Sequence, residues 1–328
     1  MALAVGLGLL VAGLAASGHS PMVALGAMWS GAFGSKYAIM SSTLLRAIPL
    51  VIVGLGIALA FRAGALNIGG EGQFYAGAIA ATAVGVHMQG WPAPLAVTVL
   101  LLVAALAGAV WAAVPAWLRV RYGVMEAIST LLLNFVALAL VSWAVTGPLQ
   151  EARRAYPQSD PVALSARLPL LFGSRLHIGI IIAIVLAVGL AVVFARTRFG
   201  FALKAAGVGP RAAALVGGVD VDRVVATALL GSGAFAGLAG GIEVAGVSYA
   251  LFQNLSPGYG FTAIAVALLA RLDPLGVVVA GILFGALESG AAAMQRDAGV
   301  PSVAVYVVEA VVIIVVLVAD RYARVRAS

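Results

Sequence analysis

The chain has 328 residues, 63% of them hydrophobic and 9% charged, with a mean hydropathy of +1.12. A soluble domain carries roughly 25% charged residues, and a chain this apolar would have to expose contiguous patches that soluble monomers rarely show. The composition is that of a polytopic membrane protein. The net charge of +7 does not argue for nucleic acid, because the basic residues sit in short loops between apolar runs, where topology accounts for them. With no cysteine there is no disulfide framework, thiol nucleophile or Cys-based metal site.

A bilayer core about 30 Å thick takes roughly 20 apolar helical residues. That ruler predicts ten spans, near 2–16, 43–61, 69–88, 93–118, 126–147, 177–195, 224–247, 257–270, 274–294 and 303–319. The fold class expected is all-α, a single transmembrane domain over residues 1–328. Residues 1–16 lack a basic leader segment and are read as a first span rather than a cleaved signal. Placing both termini in the cytoplasm puts most Lys and Arg residues inside. Trp29, Trp91, Trp117 and Tyr122 fall near span ends, where an interfacial aromatic belt is expected.

Two connections exceed a turn. The stretch 148–176 carries Pro148, Pro157, Pro161 and Pro169 with mixed charges and is predicted to be an external loop facing a partner. On the inner side, 196–223 is basic, and within it Gly209-Pro210 opens a short helix, Arg211 to Val216, that Gly217-Gly218 stops. Proline at a helix start and glycine past its end is the usual asymmetry.

Polar residues inside apolar spans are costly in lipid and usually face a cavity or a partner. Asn67, Glu71 and Gln73 stand among four glycines at the entry to the third span, and Ser256-Pro257-Gly258-Tyr259-Gly260 precedes the shortened eighth. Both patterns predict discontinuous helices, near 64–73 and 256–262, whose freed backbone lines a cavity. Helix capping is an equally good reading of Asn67 and Glu71. Such breaks recur at matching positions of structural repeats, and spans two to five and seven to ten would be the two related halves. Asn134 and Glu288 lie deeper and are expected to face a cavity or a neighbouring helix, whereas Glu126 is placed at the interface. His19, His87 and His177 are far apart, so no metal site is predicted. No phosphate-cradling GxxxxGK[ST] and no GxSxG elbow occur, so the chain is not expected to be an enzyme or to need a cofactor.

The run Phe61-Arg62-Ala63-Gly64-Ala65-Leu66-Asn67-Ile68-Gly69-Gly70-Glu71-Gly72-Gln73 resembles the signature of permease subunits in bacterial ABC importers for nucleosides and simple sugars, those served by basic-membrane-protein-type lipoprotein receptors. The resemblance continues through Glu126 to Phe135, Gly258 to Ala270 and Pro274 to Gly285. It implies a permease in the cytoplasmic membrane that works with a second permease subunit, a cytoplasmic ATPase and an extracytoplasmic substrate-binding lipoprotein or periplasmic protein. It also implies ATPase coupling through Gly200, Lys204, Gly207, Pro210, Arg211, Ala213 and Gly217 in the loop 196–223, though the family's usual acidic or Asn residue is missing between Val208 and Arg211. Asn67, Glu71, Gln73, Asn134 and Glu288 are the residues expected along the substrate path. The rival reading is an ion-coupled secondary transporter or channel, with Glu288 as its coupling carboxylate; a membrane enzyme would lack a catalytic constellation.

Overall fold

The computed structural model describes residues 20–300, together with Gly8, Val11, Leu14, Ala15 and Gly18. The elements are α1 (Pro21–Phe33), α2 (Lys36–Arg62, with a π turn at Ile39–Thr43), α3 (Gly70–Gly85), α4 (Ala93–Tyr122), α5 (Glu126–Thr146), α6 (Gly179–Arg196), α7 (Arg198–Val208), α8 (Pro210–Leu215), α9 (Val221–Ser248, ending in a π turn at Val244–Ser248), α10 (Tyr259–Leu269) and α11 (Pro274–Ala298). Six of these, α2, α4, α5, α6, α9 and α11, are long and apolar enough to cross a membrane.

The count differs from the ten spans the sequence predicts. The span at 303–319 lies outside the described residues, as does that at 2–16 apart from Gly8, Val11, Leu14 and Ala15. The third and eighth correspond to α3, with 16 residues, and α10, with 11. Both are short because each is the second part of a broken element, as their glycine-rich entries suggest. The sequence reading also passes over α1, whose Pro21 occupies the helix start and which packs on α11: the Ser289 hydroxyl donates to the Gly31 carbonyl at 2.8 Å.

Helix α2 is the post of the bundle. Its most apolar window is 83% buried, against 22% for those of α4 and α6, so α2 packs against protein on all sides while α4 and α6 present one face outward. In lipid, apolar side chains gain little by leaving one another, and close approach of small residues holds helices together instead. The α4–α9 contact is built that way. Ala104, Gly108 and Ala112 on α4 recur every four residues, and so do Gly233, Gly237 and Gly241 on α9. A methyl group at Gly108 or Gly237 would run into the backbone of the other helix. Trp29, Trp91, Trp117 and Tyr122 are all exposed, consistent with an aromatic belt.

The breaks lie where the polar runs placed them. After α2 ends at Arg62, residues 63–69 are irregular and Gly64, at φ +76°, abuts Gly207 of α7. After the π turn of α9, residues 249–258 are irregular and Gly258, at φ +103°, precedes α10. The second break is joined to the loop 148–178: the Ser159 N–H donates to the Leu251 carbonyl and the Val162 N–H to that of Tyr249, each at 2.8 Å. The two breaks therefore enter the bundle from opposite ends, and α3 and α10 start where they meet. A methyl group on Gly260 would overlap the Glu71 backbone.

Candidate functional site: the helix junction and the α7–α8 loop

Four of the five residues predicted along the path, Asn67, Glu71, Gln73 and Asn134, come together at this junction, all buried. The Asn67 amide donates to Gln73 Oε1 and to the Ser232 hydroxyl of α9, each at 2.8 Å, while its Oδ1 accepts from the Gly69 N–H at 2.9 Å and from Gln73 Nε2 at 3.0 Å. Both donors and both acceptor positions of Asn67 are thus used within the fold.

Helix α5 serves the same break from the other side with three residues one turn apart. Glu126 Oε1 accepts from the Leu66 N–H at 2.9 Å, the Thr130 hydroxyl from Ile68 at 3.1 Å, and Asn134 Oδ1 from Gly72 at 2.8 Å; Asn134 Nδ2 in turn donates to the Ile68 carbonyl at 3.0 Å. Backbone freed from helix in a membrane must find such partners. Glu126 is therefore no plain interfacial acid: it caps the broken segment and pairs with Arg119 of α4. Sequence reasoning also missed Thr130 and Ser232. The spacing Glu126, Thr130, Asn134 carries a signal, since i, i+4, i+8 share one helix face.

Glu71, in the first turn of α3, accepts from the Gly260 N–H of α10 at 2.7 Å and meets the Ser256 hydroxyl. Ser256 Oγ accepts from the Gly258 and Tyr259 amides at 3.0 and 2.9 Å. One carboxylate thus stands at two helix N-termini, where the aligned peptide dipoles favour negative charge. Glu288 of α11 lies elsewhere, its Oε2 3.9 Å from Arg46 Nη1 of α2.

The residues of the coupling loop divide by exposure and packing. Gly200 fits against the Val193 carbonyl and Phe194, Gly207 against the Arg62 carbonyl, Gly217 against the Ala213 carbonyl, and Ala213 is buried; these shape the loop. Lys204, Pro210 and Arg211 are exposed. So are Val208 at the end of α7, and Leu215 and Val216, 86% and 90% exposed, the last residue of the six-residue helix α8 and its cap.

The loop 148–178 is a packed cover. Val162, Ala163, Ala166, Leu168, Leu176 and His177 are buried, and the Ala163 N–H donates to the Gly85 carbonyl that ends α3. Tyr156, Leu164, Leu170 and Phe172 project outward. The turn at its start is closed by Glu151. The Gln158 side chain donates to Glu151 Oε2 at 2.8 Å, and the amides of Ala155 and Tyr156 to Oε1 at 3.1 and 2.9 Å. These bonds, the Gln158 one first, hold the Glu151 carboxyl below its usual 4.5. A carboxyl depressed in the folded state adds stability above its unfolded pKa and loses it as pH falls through the folded value. Protection of the Ala155 and Tyr156 amides against hydrogen exchange is accordingly expected to be full at neutral pH and to drop below pH 4.5. Equal protection factors on both sides of that pH would contradict it.

The bundle, with two broken helices abutting at their N-termini and no nucleotide-binding motif in the chain, is that of a membrane-embedded transport subunit. A family model described as branched-chain amino acid transport system / permease component matches residues 39–317, and the chain belongs to that family. It is 38% identical to the guanosine ABC transporter permease protein NupP of Bacillus subtilis, over 94% of this chain and 88% of that one. It is 36% identical to the glucose ABC transporter permease protein TsgB13 of Haloferax volcanii, over 95% and 84%, and 31% identical to the nucleoside ABC transporter permease protein NupB of Lactococcus lactis, over 92% and 85%. No solved structure matches it significantly. The chain is an ABC permease subunit, a transport component rather than an enzyme.

Proposed function

We propose that this chain forms one half of the translocation path of an ATP-driven importer for nucleosides or related simple sugars. The observation that carries the substrate class is the 31–38% identity, over nearly the whole chain, to permeases named for guanosine, nucleosides and glucose. The second half is a further permease subunit, the energy comes from a separate ATPase, and an extracytoplasmic receptor delivers the substrate. The chain sits in the bacterial cytoplasmic membrane with both termini inside, so the α7–α8 loop faces the ATPase and the packed cover 148–176 faces the receptor. The wall of the path is built on Asn67, Glu71, Gln73 and Asn134, which hold the broken segments in place, and on Glu288.

The mechanism is alternating access. ATP binding closes the ATPase halves, and α8 passes that motion to α7. Gly207 is seated against the Arg62 carbonyl, with Arg62 stacked 4.3 Å over the Phe194 ring. A push on α7 therefore reaches the ends of both α2 and α6, and the first break lies directly beyond Arg62. Rocking of packed helices about a midplane site is how such bundles open to one side at a time.

The test is reconstitution in lipid with the ATPase, second permease and receptor. Receptor loaded with guanosine or glucose is expected to raise ATP hydrolysis above that with empty receptor. Ion-gradient-driven flux through the chain alone would overturn the proposal.

A further inference from the structure

The loop 148–178 ends in a hairpin that is fastened to two helices at once. The Leu171 N–H donates to the Leu176 carbonyl at 2.7 Å and the Ile178 N–H to that of Pro169 at 3.1 Å. Between them the chain turns through Phe172 to Arg175, with Phe172 at φ +55° and Gly173 at φ +62°. Ser174 closes the turn, its N–H and its hydroxyl both donating to the Leu171 carbonyl, at 3.0 and 2.8 Å. Two bonds tie this strap to the π turns of the bundle. On α9 the Ala245 carbonyl accepts from the Leu168 N–H at 2.9 Å; on α2 the Ser41 hydroxyl accepts from the Arg175 N–H at 3.1 Å. The neighbouring hydroxyls of the α2 turn serve other elements, Ser42 accepting from Ser289 of α11 and Thr43 donating to the Ala32 carbonyl of α1, which leaves Ser41 for the strap.

His177, at the foot of the hairpin, is held there at a cost. Its ring is buried over Gly246 of the α9 π turn, where a methyl group would come within 2.6 Å of it. Nδ1 accepts from the Gly179 N–H at 3.1 Å, which leaves the proton on Nε2, and that N–H has no acceptor among the described residues. Most buried polar groups in proteins are paired, and an unmade bond is costly. The π turns are a second local departure, of a kind that recurs at functional sites, and left-handed Phe172 is a third. The fastened strap is therefore an arrangement that another position relieves: a shift of the imidazole toward the outer side of the cover gives Nε2 water.

What the strap spans gives it leverage. Deeper in the bundle α2 and α9 touch directly, and a methyl group on Gly56 would lie 2.8 Å from the Ser232 carbonyl. At 1.5 Å per residue, Ser41 and Ala245 stand roughly 20 Å along their helices from that contact, so the strap ties the parts of α2 and α9 that separate most when the two rock about it. The strap also runs into α6, which begins at Gly179 and ends at Arg196. There Gly200 of α7 is seated on the Val193 carbonyl and Phe194, so a shift of α7 is carried along α6 to His177. We propose that the hairpin 169–178 is a latch on the outer end of the path, shut in this structure, that holds the π turns of α2 and α9 together and releases them when ATP-driven displacement of α7 moves α6. The proposal rests on the importer reading above and deepens it by naming the element that gates the outer side.

The chain has no cysteine, so a disulfide introduced into it is unambiguous. An amide nitrogen 3.1 Å from the Ser41 oxygen puts the two α-carbons within reach of such a bond, and Ser41→Cys combined with Arg175→Cys fastens the latch reversibly. The complete importer carrying the pair is reconstituted in liposomes. ATP-driven uptake of labelled guanosine and glucose is measured in the reduced form, after oxidation and after return to dithiothreitol. The two single variants control for oxidation of the other subunits, and non-reducing electrophoresis gives the extent of cross-linking. The oxidised pair is expected to lose uptake by about tenfold or more, as holding a protein in one of two required states does, and to regain it with dithiothreitol while the single variants stay level. Gly246→Ala, whose methyl group displaces the His177 ring, acts in the opposite direction: ATP hydrolysis without receptor is expected to rise about fivefold, the low end of coupling between distant sites. Full uptake by the cross-linked pair, or a pair that does not cross-link in the assembled importer, overturns the latch while the importer, seen in the reduced form, stands. Receptor-free hydrolysis at the wild-type rate in Gly246→Ala overturns it too. Absence of ATP-driven uptake of either solute by the wild type overturns the importer reading, and the latch with it.

Discussion

Asn67→Ala is expected to unseat the helix junction and lower the melting temperature of the chain by about 10 °C. The change leaves the Gly69 N–H, the Gln73 side chain and the Ser232 hydroxyl without the partner each has now. A buried polar group deprived of its partner costs about 1–3 kcal/mol, so three together reach about 4 kcal/mol even when the site relaxes. At roughly 2–4 °C per kcal/mol for a chain of this size, that is the stated shift. Ser232→Ala removes one acceptor from a network that keeps its others and is expected to cost about 1 kcal/mol. Thermal unfolding of the purified chain in detergent, followed by loss of the monodisperse peak, measures both. The comparison separates two roles for Asn67. A scaffold residue loses stability and uptake together, whereas a wild-type melting temperature with abolished uptake would make Asn67 a substrate contact and not a pin.

The breaks themselves were legible in the sequence because glycine and proline beside Asn67, Glu71 and Ser256 stand out against 63% hydrophobic residues. What fills them was harder to read. Glu126 reads alone as an acid at a span end, since its partner, the Leu66 N–H, lies 60 positions away. Only the recurrence of Glu126, Thr130 and Asn134 on one face of α5 hints at a row of acceptors laid along an unwound segment. The same holds for Arg46 and Glu288. Each looks like a lone charge within or near the end of a span, and only the packing of α2 against α11 shows that Arg46 has Glu288 beside it, 3.9 Å away. Helix α1 was hidden for a different reason: its 13 residues are too few for the spanning ruler, and they fold against α11 through small residues that leave no periodic apolar mark. Glycines, by contrast, signalled their use. A stripe at every fourth residue of α9 requires a partner with equally small residues, and α4 supplies Ala104, Gly108 and Ala112.

The second large effect lies at α8. Leu215, the last residue of a helix of six, and Val216, its cap, are almost fully exposed; the helix is too short to be stable by itself in water and is held from below by buried Ala213 and by the capping turn in which the Val219 N–H donates to the Ala213 carbonyl at 3.1 Å. Apolar side chains presented at the end of so short and so well anchored a helix are suited to fill a pocket on another protein, and fully burying a leucine or valine side chain contributes roughly 1.5–3 kcal/mol. Leu215→Asp combined with Val216→Asp is therefore expected to weaken association with the ATPase by on the order of a thousandfold. The fold should not notice, because neither side chain touches the core. Co-purification of the ATPase subunit with the permease and the melting temperature of the permease alone are the paired measurements. Loss of the ATPase at an unchanged melting temperature is the expected outcome; retention of the ATPase with both aspartates in place would move the coupling contact to the other exposed residues of the loop, Lys204 and Arg211 first. Charge reversal at those two then gives the opposite pattern from an apolar contact, since an exposed ion pair weakens as salt rises while burial of leucine and valine does not.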